Sequence, residues 1–342
     1  MITVRELGAD EEAQWECFAM ASPQASFFHR LGWRRIVERH TGQHTHYRCA
    51  WRDDRLVGIL PLTEIRSRIF DHALISPGFG VCAGIAAEDG EATAALAADA
   101  ASLGRSLGVR YVELRHEVER PIDWIAPGPR YFVFRRDIAN SAEEDMKSVP
   151  RKRRADLRKA LANPALTVRH GDDFASFFHL YALSLRNLGT PILPRQFYAA
   201  IAAEFRDNVE ISVVHGPDGP QAAVMSFYNG NAVLPYYGGA TPGARLLHAY
   251  DLLYWSVMRR ASERGARVFD FGRSRKGSSA FDYKSHWGFP AVPLRYQYHL
   301  ADGALPNLGP DNPRYHLFIE AWKRLPLQLS IHAGPLISRH IG

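Results

Sequence analysis

One order of elements occurs twice, and this repeat most constrains what the chain can fold into. In the first half, YRCAWRDDRLVGILPL reads as strand, Asp53-Asp54 turn, strand. In the second half, VEISVVHGPDGPQAAVMSF reads the same way, with Pro217-Asp218-Gly219 as the turn. Each hairpin is followed, after a further segment, by a helix that ends at a glycine, Gly108 or Gly265. Past a helix end the left-handed conformation suits glycine. Each glycine then opens a strand, over residues 109–115 and 266–272. Laying one strand on the other pairs Arg110 with Arg267 and Glu113 with Asp270. Hairpin, helix and strand, twice over, predict duplicated α+β domains. Neither strand-to-helix junction carries GxGxxG, which excludes a dinucleotide-binding reading.

A length of 342 residues agrees with two domains. The boundary is expected between 138 and 146, after the strand YFVFRRDI, giving domains 1–140 and 141–300 and a tail 301–342. With 46% apolar and 23% charged residues the composition is that of a globular protein and excludes disorder. The start MITVRELGADEEAQW lacks the basic and apolar regions of a signal peptide, and no run approaches a membrane span. Cys17, Cys49 and Cys82 are odd in number and widely spaced. They exclude a disulfide framework and a cysteine zinc site, and they fit a reducing, cytoplasmic compartment. His40, His44 and His46 lie close together, but no carboxylate or cysteine completes a metal-ligand spacing, so no metal is expected. The net charge of +6 favours anionic partners.

Three further segments carry candidate chemistry. In the basic run from Lys147 to Lys159, Arg151, Arg154 and Arg158 share a helical face fit for phosphate, or for plain solvation. In VLPYYGGATPGARLLHAYDLLYW a strand ends in Tyr236-Tyr237 and runs into Gly238-Gly239, a glycine-rich loop whose amides can cradle phosphate. The plain alternative is an ordinary strand–loop–helix turn. In FDFGRSRKGSSAFDYKSHWGF, serine stands where a P-loop needs lysine, which excludes that motif. What remains is a polar turn with Asp270, Arg273, Lys276 and Lys284; Asp270 is either a turn-forming cap or a group facing a cleft. Beyond a Gly- and Pro-rich linker, Asn312-Pro313 starts a helix with Tyr315, Phe318, Ile319, Trp322 and Leu325 on one face. That stripe fits packing on the host domain, or docking to a partner or membrane surface.

The order basic helix, YYGGATPGARLLHAYDLLYWSVMRRASERGARVFDFGRS, Tyr-Lys-x-x-Trp-Gly-Phe resembles the FemAB peptidyltransferases and their relatives with a BioF2-like acetyltransferase domain, in particular the PEP-CTERM/exosortase-associated subgroup. The resemblance implies two tandem N-acetyltransferase (GNAT) domains. It also implies acyl transfer to an amine of a cell-envelope or exopolysaccharide precursor, with aminoacyl-tRNA or acyl-CoA as co-substrate, no tightly bound cofactor and no DNA partner. Peripheral contact with the inner face of the membrane is part of the same expectation. Lys284 stands where the family places a basic residue on phosphate. The coenzyme A loop [Q/R]-x-x-G-x-[G/A] has no clean counterpart. The expected roles are Asp270 as the group that orients or deprotonates the amine, and Tyr236 or Tyr237 as donor to an oxyanion or leaving group. Arg273, Lys276, Lys284, Arg151, Arg154, Arg158, Gly238 and Gly239 are the expected binding residues.

Overall fold

The computed structural model describes residues 1–67, 71–302, 305 and 312–341. The chain divides into two compact units. The first comprises Met1–Pro129, Leu294–His316 and Pro335–Gly342; the second comprises Arg130–Pro293 and Leu317–Gly334.

The first unit holds β1 (Ile2–Glu6), α1 (Glu12–Ala21), α2 (Leu31–Thr41), β2 (His44–Arg52), β3 (Arg55–Ser67), β4 (Asp71–Ser76), β5 (Ala86–Ala87), α3 (Gly90–Leu107) and β6 (Tyr111–His116). The second follows with β7 (Tyr131–Asp137), α4 (Ala142–Ser148), α5 (Arg151–Leu161), β8 (Thr167–Gly171), α6 (Phe174–Leu188), α7 (Arg195–Glu204), β9 (Val209–Gly216), β10 (Gly219–Asn229), β11 (Ala232–Ala240), α8 (Ala249–Glu263), β12 (Val268–Arg275), α9 (Ser279–Ser285) and β13 (Ala291–Pro293). Then come β14 (Arg295–Leu300), α10 (Pro313–Lys323) and α11 (Leu327–Ser338).

Each unit is built on one mixed sheet of seven strands. The first runs β1-β2-β3-β4-β6-β14, with β5 beside β3; the second runs β8-β9-β10-β11-β12-β7-β13. Six strands of each sheet correspond in order, and the seventh differs: β5 lies beside β3, whereas β13 lies at the edge beside β7. Each has a hairpin, β2–β3 or β9–β10, and one parallel pair, β4 with β6 or β11 with β12. The duplication expected from the sequence is therefore present, and the strands over 109–115 and 266–272 hold equivalent places. Gly108 and Gly265 both take left-handed φ, +66° and +86°, at the ends of their helices. Glu113 and Asp270 fall at matching positions, both buried.

The division near residue 140 is placed differently by the structure. It falls at Pro129/Arg130, because β7 pairs antiparallel with β12 of the second sheet, Asp270 lying opposite Arg135. The place next to β6 in the first sheet is taken by β14, with Tyr298 opposite Glu113. Each half thus receives the strand that follows the other half's parallel pair. Most of the expected linker after Leu300 lies outside the described residues. The helix beginning at Pro313 is present with Trp322 buried, and α11, which the sequence reading did not separate, follows it.

In the second unit the core is formed where α5 and α8 place Leu157, Ala160, Leu253, Val257 and Met258 against Val224, Val233 and Phe269 of the sheet. Helix α6 lies against β10 and β11. In the first unit α3 supplies Ala92, Leu96, Ala97 and Ala100 against Val57, Leu60, Leu74 and Val112. No helix among the described residues is long and apolar enough to cross a membrane.

Candidate functional site

The parallel pair of the second sheet holds together over only two registered positions, Ala232 with Val268 and Val233 with Phe269. The equivalent pair of the first sheet holds over four, from Ala73 with Tyr111 to Ser76 with Leu114. Beyond Val233, β11 keeps β10 on one side; beyond Phe269, β12 keeps β7 on the other. Two irregularities accompany the parting. On β11 the register slips between Met225 and Ser226 of its partner, leaving Tyr236 as the extra residue, one place after Pro235. Proline has no N–H for a ladder and is tolerated at such bulges. On β12 the register slips between Asp270 and Arg273.

The β12 bulge is held by two side chains that the sequence pointed to, in an unexpected way. Asp270 is only 2% exposed. One carboxylate oxygen accepts from Arg135 Nε at 2.5 Å, the other from the backbone N–H of Gly272 at 2.7 Å, and Gly272 takes φ +69°. This is the capping arrangement rather than a carboxylate open to substrate. Lys284 is turned inward too. Its Nζ donates to the carbonyls of Gly272 and Arg273, both at 3.2 Å, and lies over Phe134. Burial is the main cause that brings its pKa down to about 8; Asp270 opposes the change and Arg273 adds to it. The expected exposed lysine on phosphate is thus a clamp on the bulge.

A test follows from the sign of that shift. The folded pKa lies below the unfolded one, so above pH 8 the unfolded chain holds the extra proton and stability rises with pH until lysine titrates in the unfolded state. Lys284→Met is expected to remove this rise. Chemical denaturation of both proteins at pH 7.5 and 9.5 checks it, and equal pH dependence in the two would refute the buried amine.

On β11, Gly238 and Gly239 are strand residues, not a phosphate loop, and they face opposite ways. A Cβ on Gly239 would stand 2.3 Å from the carbonyl oxygen of Leu180, so α6 sits directly on the strand. A Cβ on Gly238 would meet Tyr254 Oη of α8 at 3.3 Å. Tyr254 in turn packs edge-on to Phe271 of β12. Gly238, Tyr254 and Phe271 thus border the parting on one face. On the other, Tyr237 packs with Tyr181, Tyr198 and Tyr236. The Tyr237 hydroxyl is buried with no hydrogen-bond partner among the described residues, and burial raises its pKa well above that of free tyrosine.

Helix α8 is preceded by its N-cap His248, held at left-handed φ +50°, and carries Asp251 in its first turn. Asp251 accepts from Arg153 at 3.0 and 3.1 Å, from Tyr283 Oη at 2.8 Å and from Trp287 Nε1 at 3.2 Å. Asp156, His248 and Asp251 are the group among the described residues whose ligand atoms all fall within 4.8 Å. A dication there would have to displace Arg153, so the arrangement favours a polar knot over a metal centre.

The basic helix divides by face. Arg153 turns in to Asp251, and Arg154 donates to the carbonyls of Lys147 and Val149 at the C-terminal end of α4. Of the expected three-arginine face, Arg151 and Arg158 are exposed and Arg154 is engaged by backbone carbonyls. Arg273 stacks over the Tyr131 ring at 4.6 Å, and Lys276 is exposed on the following turn. Sequence reading missed Asp251 and Tyr254, and it placed Arg153 in the basic run without its partner. An acid among Leu252, Leu253 and Trp255, and an arginine four residues before buried Leu157, were the available signals.

Residues 147–285 match the family model described as the acetyltransferase (GNAT) domain, a span that contains β11, α8, β12 and α9. No curated protein matches the sequence. Among solved structures the chain is similar to FemX, at 14% identity, covering 93% of this chain and all of that one with a TM-score of 0.68. A tandem GNAT protein from the clavulanic acid biosynthesis pathway is similar at 12% identity, 89% and 100% coverage and a TM-score of 0.55. The C-terminal domain of a putative lysylphosphatidylglycerol synthetase from Agrobacterium fabrum follows at 14% identity, 86% and 92% coverage and 0.53. At these identities the likeness is one of fold, and it is to tandem α+β proteins of GNAT type.

Proposed function

We propose that the chain is an N-acyltransferase that transfers its acyl group directly, with the donor carbonyl placed where β11 and β12 part. The observation that carries this reading is the two-position parallel pair followed by divergence, inside the span that matches the GNAT model. Backbone along one edge of β11 is left without a strand partner on the β12 side, and such groups can hold a carbonyl oxygen as it gains charge. The acceptor amine attacks the acyl carbon, the bond to the leaving thiol or hydroxyl breaks, and the proton lost by the amine ends on the leaving group. Tyr237, with its unpartnered hydroxyl, is the residue we assign to that proton. Asp270 is given a structural role, because both its oxygens are engaged.

The GNAT match favours a coenzyme A thioester as donor. A second reading, an aminoacyl ester carried on RNA, is favoured by the FemX-like fold over 93% of the chain and by the exposed Arg151, Lys152, Arg158 and Lys159. The acceptor class drawn from the family resemblance is an amine on an envelope or exopolysaccharide precursor. Purified protein offered acyl-CoA and aminoacyl-tRNA donors with a panel of amino-sugar and peptide amines tests the reading. Turnover with either donor supports transfer and selects between the two. Saturable binding without turnover across the panel replaces it with a binding module.

Asp270→Asn separates the two roles of that residue. The amide keeps an acceptor for Gly272 but loses the charge that pairs Arg135, itself partly exposed. Stability is expected to fall by about 1–3 kcal/mol while turnover per folded molecule stays within about threefold of the wild type. A loss of about 100-fold or more in turnover, with the fold intact, would return the catalytic role to Asp270.

A further inference from the structure

The first unit contains a cavity of about 440 Å³ that the acyl-transfer reading does not use. It is lined by Thr41, Gln43, His44, Glu64, Arg66 and Arg339, with Gly42 and His340 completing it. That volume falls in the range of small-molecule sites.

The backbones of its two exposed arginines are tied together from beneath. Gln43 is buried, and its amide joins them: Oε1 accepts from the backbone N–H of Arg66 at 3.0 Å and Nε2 donates to the carbonyl of Arg339 at 2.7 Å. His340 Nδ1 adds a contact to the Arg66 carbonyl at 2.9 Å. The buried carboxylate of Glu64 accepts from Arg66 Nε at 2.6 Å and meets His72 Nε2 at 2.7 Å, with His46 Nε2 at 3.5 Å. Arg339 spends its own Nε on His340 at 3.2 Å. In each guanidinium the Nε edge is thus engaged, and no hydrogen bond among the described residues uses the terminal nitrogens. Two guanidiniums outweigh one carboxylate, and their forked geometry matches tetrahedral oxyanions.

We infer that this cavity is a binding site for the phosphate group of a small phosphorylated molecule, gripped by Arg66 and Arg339 while Thr41, Gln43 and His44 border the remainder. The site lies wholly in the first unit and stands whether or not the second unit transfers an acyl group.

Calorimetric titration at low salt with inorganic phosphate and with ribose 5-phosphate, and with succinate as the carboxylate control, tests it. Ribose 5-phosphate is expected to bind with a dissociation constant below about 1 mM, more tightly than phosphate, with succinate weaker than both. Arg66→Gln and Arg339→Gln are each expected to weaken ribose 5-phosphate binding by at least ~10-fold, the usual loss for one charge-assisted contact. Arg66→Lys should fall between, keeping charge without the fork. Arg339→Gln does not touch Glu64 and keeps the test open if Arg66→Gln folds poorly. No saturable binding, tighter binding of succinate, or loss with Lys276→Gln but not with Arg339→Gln would each overturn the assignment.

Discussion

Asp251→Ala is expected to destabilise the second unit by about 3–5 kcal/mol, among the largest effects of any single substitution outside the apolar core. The carboxylate is 3% exposed and collects three donors from three places: Arg153 on α5, Tyr283 on α9 and Trp287 beyond it. Its removal leaves a partly buried guanidinium, a phenol and an indole N–H without an acceptor, each carrying its own desolvation cost. The charge also sits in the first turn of α8, where a carboxylate complements the helix dipole. Asp251→Asn should cost less, because the amide oxygen still accepts. Arg153→Met in the Asp251→Ala background should recover part of the loss, since it removes the orphaned cation. Urea denaturation followed by tryptophan fluorescence reads all three. A cost under about 1 kcal/mol for Asp251→Ala would mean the knot is not load-sharing in solution.

Where local rules decide, the sequence was readable. Gly108 and Gly265 end their helices in the left-handed region, and the strands they open hold equivalent places in two equivalent sheets. The pairing of Glu113 with Asp270 extends to their partners: each buried acid is bonded to an arginine, Arg115 within the same strand and Arg135 across to the next. The exchange of β7 and β14 was not readable. Each strand follows the parallel pair of its own half in the chain, and alternation along a strand fixes which face is buried without naming the sheet it joins. Contiguity placed the division after β7, whereas long-range pairing places it before.

The site shows the same contrast. Helical spacing grouped Arg151, Arg154 and Arg158, but a face acquires meaning only from what covers it. Leu157 and Ala160 turn inward, and Arg153 follows them to Asp251. For Asp270 the residues left two roles open; in the fold Arg135 and the Gly272 N–H occupy its two carboxylate oxygens. Gly238-Gly239 read as a loop because glycines usually punctuate strands. Here they continue one, because α6 and Tyr254 crowd its two faces.

Gly238→Val is expected to lower kcat/KM for acyl transfer by about 100-fold or more, about 2.7 kcal/mol of transition-state stabilisation, with the fold retained. Gly238 has no left-handed φ, and a β-branched residue suits a strand, so the backbone accepts the change. The space does not accept it equally. A Cβ meets Tyr254 Oη at 3.3 Å and Val224 Cγ2 at 3.6 Å, and the two further carbons of valine must enter the parting beside Phe271. Gly238→Ala, which adds the Cβ alone, should give an intermediate loss. Gly239→Ala supplies the contrast. Its Cβ would strike the α6 backbone at 2.3 Å, so stability should fall and activity should follow the folded fraction. Steady-state kinetics with the donor identified by the panel, alongside thermal unfolding, distinguishes the two glycines. Wild-type kcat/KM in a folded Gly238→Val protein would refute placement of the donor between β11 and β12.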